Sequence, residues 1–212
     1  MLTMNYDPES PQSPHEQTEI EKKQAVFRDS FEEIMNTNQP GWIENSKIKS
    51  IRIITVGAGG AVETGPLRAL FPHSFIAVLD IEDQLIAQGI AETLDISNID
   101  FIQADASIKE TWKNPLLQAP FDLVVIRNPN VLEMDAAGNW KRILENMETI
   151  LAPHGILYIS TGNDTNRLEE EEVEKLLKKT EFSFTSYQNP VLIENREILP
   201  YKEPTIFVAK LS

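Results

Sequence analysis

A glycine-rich turn is the first feature of the sequence whose residue types could support chemistry. It reads Val56-Gly57-Ala58-Gly59-Gly60-Ala61, after the apolar run Ile51–Val56 and before a segment with helical periodicity. Glycine lets the backbone turn sharply and approach a ligand closely, and the N-terminus of the next helix offers free N–H groups. The pattern indicates a ligand site, and a tight strand-to-helix connection is the alternative.

An aspartate follows the second apolar run. Asp80 comes directly after Phe75–Leu79, about 20 residues beyond Gly57, where an acid in a nucleotide-binding βαβ unit accepts hydrogen bonds from ribose hydroxyls. Capping of the next helix is the other role for an aspartate here, but Asp83 is better placed for it. We therefore predict that Asp80 binds a ligand and that Asp83 caps the helix.

A second aspartate follows the third apolar run. Asp105 lies just past Ile99–Gln103, and the ligand crevice of an open α/β sheet is lined by the carboxyl ends of its strands. A carboxylate there can accept a hydrogen bond from an exocyclic amine such as that of adenine. Alone, Asp105 would be read as a loop residue. Signals after three consecutive strands favour one shared site.

The elements that must position these residues alternate between strand and helix from Ser50 onward. Such alternation predicts an α/β fold with a parallel sheet covered on both faces. Two strand-like runs at the end, Phe182–Gln188 and Thr205–Lys210, have no helix between them and predict an adjacent antiparallel pair. An acidic run at 169–172 is predicted as an exposed first helical turn. The other predicted strands are 51–56, 75–79, 99–103, 121–126 and 156–160, and the helices are 62–71, 83–93, 140–151 and 168–179.

The N-terminal part differs from this main domain. Residues 1–15 are rich in Pro and Ser and predict a flexible tail. Ile20, Phe27, Phe31 and Ile34 recur at helical spacing and predict a helix over 16–37. We expect a tail at 1–15, a helical extension at 16–49 and the α/β domain at 50–212. The extension could be a lid over the site, a packing element or a homodimer element.

With these motifs in this order, the chain resembles the class I S-adenosylmethionine (SAM)-dependent methyltransferases from about Ile51 to Lys210. The segments that carry the resemblance are IITVGAGGA, FIAVLDIE, NIDFIQADA, FDLVVIRNP and ILAPHGILYIST, followed by the terminal strand pair. The resemblance implies a doubly wound, mostly parallel, seven-stranded Rossmann-like sheet with an antiparallel C-terminal strand. It also implies SAM as cofactor, bound over the carboxyl ends of the first strands by Gly57, Ala58, Gly59, Asp80, Ile81, Asp105, Ala106 and Arg127.

The chain departs from the family's pattern at the first strand. Thr55 stands where the family usually has an acid that helps to hold the methionine end of SAM. Glu63 is the substitute that we consider for this contact.

The end of the fourth strand carries the candidate catalytic residues, Arg127 and Asn128. The segment Arg127-Asn128-Pro129-Asn130 keeps the Asn-Pro of amino-group methyltransferases but lacks their aromatic residue. A cation at the end of a buried strand must be solvated or paired. Arg127 could bind a carboxylate or phosphate of the acceptor, or pair with Glu133 or Asp135.

Composition limits the remaining choices. The absence of cysteine excludes disulfides and thiolate nucleophiles and favours a cytoplasmic location. The net charge of −14 disfavours extended nucleic-acid binding, so we expect a small-molecule acceptor. No apolar run approaches the roughly 18 residues of a membrane span, and three scattered histidines predict no metal site.

Two other functions compete with an active methyltransferase. A nicotinamide-dependent oxidoreductase would need glycine at the position of Val62 for close helix approach. A non-catalytic SAM-binding module is compatible with Thr55 and with the segment after the fourth strand.

Overall fold

The computed structural model describes residues 14–93, 97–118, 120–133, 136–162, 167–189 and 205–212. Within these ranges, strands and helices alternate from residue 52 onward, as the apolar pattern predicts. The helices are α1 (Pro14–Asn38), α2 (Trp42–Lys47), α3 (Thr64–Leu70), α4 (Asp83–Glu92), α5 (Ala136–Ile150) and α6 (Leu168–Leu177). The strands are β1 (Arg52–Val56), β2 (Phe75–Asp80), β3 (Ile99–Gln103), β4 (Phe121–Arg127), β5 (Leu151–Ser160), β6 (Phe182–Gln188) and β7 (Thr205–Leu211).

The seven strands form one sheet in the order β3-β2-β1-β4-β5-β7-β6. β1 to β5 pair in parallel, whereas β7 pairs antiparallel with both β5 and β6. This confirms the predicted doubly wound α/β fold with an antiparallel C-terminal strand. The order reverses at β1, so β1 and β4 flank the switch point at whose carboxyl edge ligands bind in open α/β sheets.

Alternate residues of each strand face opposite sides of the sheet and form two apolar clusters. Ile54 and Val56 of β1 face the cluster shared with α5 and α6, and Ile53 faces the cluster shared with α1, α2 and α3. None of the helices within the described ranges combines the length and apolar character that crossing a bilayer requires.

Helix α1 packs directly on the sheet. Phe27 and Phe31 are fully buried, and their ring centroids lie 6.0 and 5.2 Å from that of Tyr158 on β5. Burial of one such aromatic side chain contributes about 2–3 kcal/mol. Residues 16–49 therefore supply part of the second apolar cluster, and their aromatic face is covered by the sheet.

Four predicted boundaries are wrong, one of them the start of helix α5, which lies at Ala136 rather than at 140. Residues 1–13 of the predicted tail, 1–15, lie outside the described residues. Residues 14 and 15 belong to α1 and not to a tail. Helix α3 begins at Thr64 rather than at 62, because a series of turns occupies 59–63 and Ala61 is left-handed at φ +54°. Strand β5 begins at Leu151 rather than at 156, because Leu151 already pairs with β4 ahead of an irregularity in the register.

Candidate functional site

The glycine turn connects β1 to α3 at the carboxyl edge of the sheet. Gly57 and Gly59 have φ values of +63° and +54°, a conformation that costs a side-chain-bearing residue about 1–2 kcal/mol. The Gly57 N–H donates to the Leu79 carbonyl at 2.9 Å, which ties the start of the turn to β2. A Cβ on Gly59 would meet nothing within 4 Å, so this glycine is needed for its backbone conformation.

The structure brings Asp80 against this turn. Asp80 is only 6% exposed, and its Oδ2 accepts a hydrogen bond from the Gly59 N–H at 2.9 Å. Its Oδ1 accepts from the Glu82 N–H at 3.0 Å, and its carbonyl accepts from the Ala104 N–H at 2.9 Å. The neighbouring side chain of Ile81 is 61% exposed. One carboxylate thus joins the loops after β1 and β2.

The role predicted for Asp83 as helix cap is wrong. The N-cap of α4 is Glu82, whose side chain makes no capping hydrogen bond, and Asp83 is the first helical residue. The Asp83 carboxylate accepts from the Gln84 N–H at 2.8 Å, within the same turn. Because the N–H of the cap residue is bound by Asp80, Asp80 itself orders the start of α4.

The loop after β3 places Asp105 and Ala106 beside the second strand end. Asp105 is half-buried, and its Oδ1 accepts from the Ser107 N–H at 2.8 Å. The carbonyl of Ala106 accepts from Trp112 Nε1 at 3.1 Å and from Asn146 Nδ2 at 2.8 Å. The sequence did not predict these contacts of Trp112 and Asn146. Trp112 lies in a short 3₁₀ helix, and Asn146 lies in α5, 40 residues from Ala106 in the chain.

Arg127, at the end of β4, pairs with Glu63. Its Nη1 lies 3.1 Å from Glu63 Oε2, with side-chain exposures of 14% and 1%, and its guanidinium lies 5.4 Å from the ring centroid of Phe27. Neither of the two predicted partners supplies this carboxylate: Asp135 lies outside the described residues, and Glu133 accepts a hydrogen bond from an asparagine side chain three residues before it. The pair joins α1, the glycine turn and β4.

Buried hydroxyls lie on the same face of the sheet as this ion pair. Thr55 is fully buried, and its Oγ1 has no hydrogen-bond partner within the part of the chain that the structure describes. The same holds for Thr64 Oγ1 and Ser160 Oγ. A buried polar group without a partner costs about 1–3 kcal/mol, so these three hydroxyls lower the stability of this part of the fold unless they are hydrogen-bonded.

The prediction of an exposed acidic turn at 169–172 is wrong for its first two members, since Glu169 is buried and the Glu170 side chain is only 13% exposed. Glu169 is 8% exposed, and its Oε2 accepts from the Gly162 N–H at 2.8 Å. The next residue, Glu170, accepts hydrogen bonds from Arg167 and from Thr205. The hydrogen bond from Arg167 is the main reason why the pKa of Glu170 lies below its usual value.

Asn128 also lies at this edge in a strained conformation. Its φ is +48°, and its N–H donates to the Ser160 carbonyl at 2.8 Å, which fixes the turn after β4.

Trp140 of α5 lies against the glycine turn, since its ring would lie 3.4 Å from a Cβ on Gly57. Sequence reasoning assigned Trp140 only to a helix, since nothing in its spacing connects it with the glycine motif.

Comparison with known proteins also indicates a methyltransferase domain. A family model described as a methyltransferase domain matches residues 47–201. The Ribosomal RNA small subunit methyltransferase G of Streptococcus agalactiae serotype III (strain NEM316) is 26% identical over 112 residues, which are 52% of this chain and 45% of that protein.

Solved structures share the fold. An S-adenosylmethionine-dependent methyltransferase from Clostridium acetobutylicum ATCC 824 superposes with a TM-score of 0.62 at 12% identity, covering 89% of this chain and 92% of that chain. TrmN from Thermus thermophilus superposes with a TM-score of 0.60 at 15% identity, covering 80% of this chain and 47% of that chain. The chain thus spans less than half of the length of TrmN and of the Streptococcus protein. Because the family model covers most of the chain and the sheet has the expected order, the protein belongs to the class I, Rossmann-like methyltransferase-domain family, whose cofactor is SAM.

Proposed function

We propose that this chain is a catalytically active methyltransferase that binds SAM at the loops after β1, β2 and β3 and methylates a small molecule. The observation that carries the proposal is the position of the Asp80 carboxylate, which is buried and hydrogen-bonded to Gly59 of the glycine turn. When bound, SAM supplies an electrophilic methyl group on a sulfonium.

The described residues fit the nucleoside part of SAM. The two carboxylate oxygens of Asp80 have about four lone-pair sites, and backbone N–H groups occupy two of them. The remaining capacity matches the two hydroxyls of a ribose. The exposed Ile81 side chain would offer apolar surface to adenine, while the Asp105 carboxylate and the Ala106 backbone would bind near its exocyclic amine.

Glu63 and Arg127 fit the methionine end. The α-ammonium and α-carboxylate of methionine are a zwitterion, and a buried carboxylate beside a partly buried guanidinium is its charge complement. Glu63 would bind the ammonium in place of the missing acid at Thr55, and Arg127 would bind the carboxylate. Gly57, Ala58 and Gly59 would let the backbone approach the chain between ribose and methionine.

The enzyme's own contribution to rate would be mainly proximity and orientation. Fixed placement of two reactants supplies as much as ~7–11 kcal/mol of barrier reduction in well-oriented systems. The acceptor would lie at the carboxyl ends of β4 and β5, beside Asn128 with its strained backbone. Arg127 is then a binding residue, and its contact with Glu63 holds it in place.

The acceptor class rests on charge. A net charge of −14 opposes binding to a polyanion, and this supports a small-molecule acceptor. RNA is the second candidate, favoured by the name of the Streptococcus relative, which refers to ribosomal RNA. The two candidates predict methyl groups in products of very different size.

Transfer of labelled methyl tests this directly. The protein is incubated with methyl-labelled SAM and a cell extract containing metabolites and RNA, and the products are separated by ultrafiltration with and without ribonuclease. We expect label in the small-molecule fraction, independent of ribonuclease. Label in a large fraction that ribonuclease releases would replace the small molecule by RNA, and binding of S-adenosylhomocysteine without any transfer would indicate a non-catalytic module.

A further inference from the structure

Helix α1 contacts the proposed cofactor site through one aromatic ring. The Arg127 guanidinium lies 5.4 Å from the ring centroid of Phe27, within the roughly 6 Å over which the face of an aromatic ring attracts a cation. The ring is buried, at 1% exposure, whereas the Arg127 side chain remains 14% exposed at the end of β4. A residue of the N-terminal helix therefore lies directly against a side chain that we propose to bind SAM.

Arg127 is held from two directions, by α1 and by the start of α3. Its Nη1 lies 3.1 Å from Oε2 of Glu63, the N-cap residue of α3, while the Phe27 ring lies against its guanidinium. Gln24, about one turn before Phe27 on α1, also reaches α3, since a Cβ on Gly65 would lie 3.4 Å from its Nε2. Helix α1 thus packs against the same helix start that carries the carboxylate partner of Arg127.

Phe31 is the next aromatic residue along the same face of α1, and it packs elsewhere. Its ring centroid lies 5.7 Å from that of Phe27 and 6.2 Å from that of Phe71, which follows the last residue of α3. The glycine turn precedes α3, so Phe31 lies about one helical turn further from the site than Phe27. The two rings are buried alike, and it is Phe27 that lies against Arg127.

We propose that Phe27 is a positioning residue for the methionine end of SAM, whose ring holds the Arg127 guanidinium in the orientation that binds the α-carboxylate. The inference rests on the proposed function, in which Arg127 binds that carboxylate and Asp80 binds the ribose. A long side chain loses rotamer freedom when it binds a ligand, and one that is already held in place loses less. Phe27 should therefore affect the methionine end of the cofactor and leave the nucleoside contacts unchanged.

Two ligands separate the two ends of the cofactor. S-adenosylhomocysteine carries both the nucleoside and the amino acid, whereas 5′-methylthioadenosine keeps the nucleoside thioether and lacks the amino acid. Calorimetry measures both dissociation constants for the wild type, Phe27→Leu, the matched control Phe31→Leu, Arg127→Gln and the double variant Phe27→Leu/Arg127→Gln. Leucine keeps an apolar side chain at either position but removes the aromatic face. Thermal melts establish that each protein is folded.

We expect the wild type to bind S-adenosylhomocysteine more tightly than 5′-methylthioadenosine. Phe27→Leu should reduce this preference about three- to tenfold, as the loss of one partly desolvated cation–π contact implies, with the affinity for 5′-methylthioadenosine unchanged. Phe31→Leu should melt earlier and keep the whole preference. In the Arg127→Gln background, Phe27→Leu should cause no further loss, because a residue that acts through Arg127 has no effect once the guanidinium is gone.

A comparison on the wild type alone covers the case in which Phe27→Leu does not fold. Hydrogen exchange is measured with each ligand at the same multiple of its dissociation constant, so that general stabilisation of the fold is equal. Peptides that cover residues 20–31 should exchange more slowly with S-adenosylhomocysteine than with 5′-methylthioadenosine, because the former engages Arg127. Equal exchange with the two ligands overturns the inference.

The affinities contain three further outcomes that decide the matter. If Phe27→Leu weakens both ligands equally, or no more than Phe31→Leu does, Phe27 is only a core residue and the inference is overturned. If the wild type binds the two ligands equally, the methionine end gains nothing from Arg127, and the inference fails while the nucleoside site stands. If the wild type binds neither ligand, the proposed function itself fails.

Discussion

Replacing Asp80 by alanine should weaken both ligand binding and the fold, and the two effects can be separated. For binding, the variant loses two hydrogen bonds from ribose hydroxyls to a charged acceptor, each worth about 1.5–3 kcal/mol. Solvent replaces part of this interaction, so we expect a loss of roughly 2–4 kcal/mol, or about thirty- to a thousand-fold in the dissociation constant of S-adenosylhomocysteine.

For stability, the variant leaves two backbone N–H groups without their acceptor, those of Gly59 and Glu82. Each costs about 1–3 kcal/mol when buried, and their position near the surface reduces the sum to about 2–4 kcal/mol. For a domain of this size we expect a fall in the melting temperature of about 5–15 °C. Asp80→Asn keeps one acceptor oxygen and should lose less stability while still losing the charge that favours the ribose contact.

Asp122 provides a matched control at the opposite edge of the sheet. Its Oδ2 accepts from the Arg52 N–H at 2.9 Å, so Asp122→Ala also removes a carboxylate from a backbone donor. This control should melt earlier and bind S-adenosylhomocysteine like the wild type in a calorimetric titration. If Asp80→Ala loses no more affinity than Asp122→Ala, the ribose does not bind at Asp80, and the site built on it is refuted.

Three further predictions concern the fold that carries the site. Gly59→Ala should cost about 1–2 kcal/mol in urea unfolding because its φ is +54°, whereas Gly138→Ala, in helix α5 with equal free space, should stabilise by about 0.5–1 kcal/mol; equal effects would contradict the role of the backbone angle. Phe27→Ala should destabilise by about 3–5 kcal/mol, because the ring is 1% exposed between α1 and the sheet, and a change below about 1 kcal/mol would mean that α1 is an appendage. Hydrogen bonding to Arg167 lowers the pKa of Glu170, so the stabilisation by this carboxylate is present above its unfolded pKa and is lost as the pH falls through its lower folded pKa. Melts across the acidic range should therefore show the difference between wild type and Glu170→Gln shrinking at low pH, and a constant difference would exclude this ion pair as its source.

Much of the architecture was readable from periodicity alone. Strands β1 to β4 and the terminal pair lie within one or two residues of their apolar runs, because a strand buried on both faces must be apolar along its length. The sequence between the last two strand-like runs was not interpreted as a helix, and the antiparallel pairing predicted from this is confirmed for β6 and β7. Glycine and aspartate at successive strand ends correctly predicted that the loops after β1 and β2 meet, since parallel strands bring their carboxyl ends to one edge.

The partners of individual charged side chains could not be predicted from the periodicity of the sequence. Glu63 and Arg127 are separated by 64 residues in the chain, and no spacing rule connects them. Glu169 belongs to a run of four acids that are equivalent in the sequence, and only the structure shows that it is buried and accepts from the Gly162 N–H. Asp80 precedes α4 and Asp83 is its first residue, and only the contact with Gly59 shows that Asp80 orders the glycine turn.

The sequence by itself therefore determined the element order, the parallel sheet and the edge at which we propose the ligand site, because burial and turn geometry act on residues that are near one another in the chain. Tertiary structure alone decided that α1 covers the sheet with Phe27 against Arg127, and which carboxylates are paired and which are buried. Those outcomes depend on contacts between distant segments. A charge at a given position is stabilised or penalised by whatever packing places beside it, and that neighbour is not encoded in the local pattern.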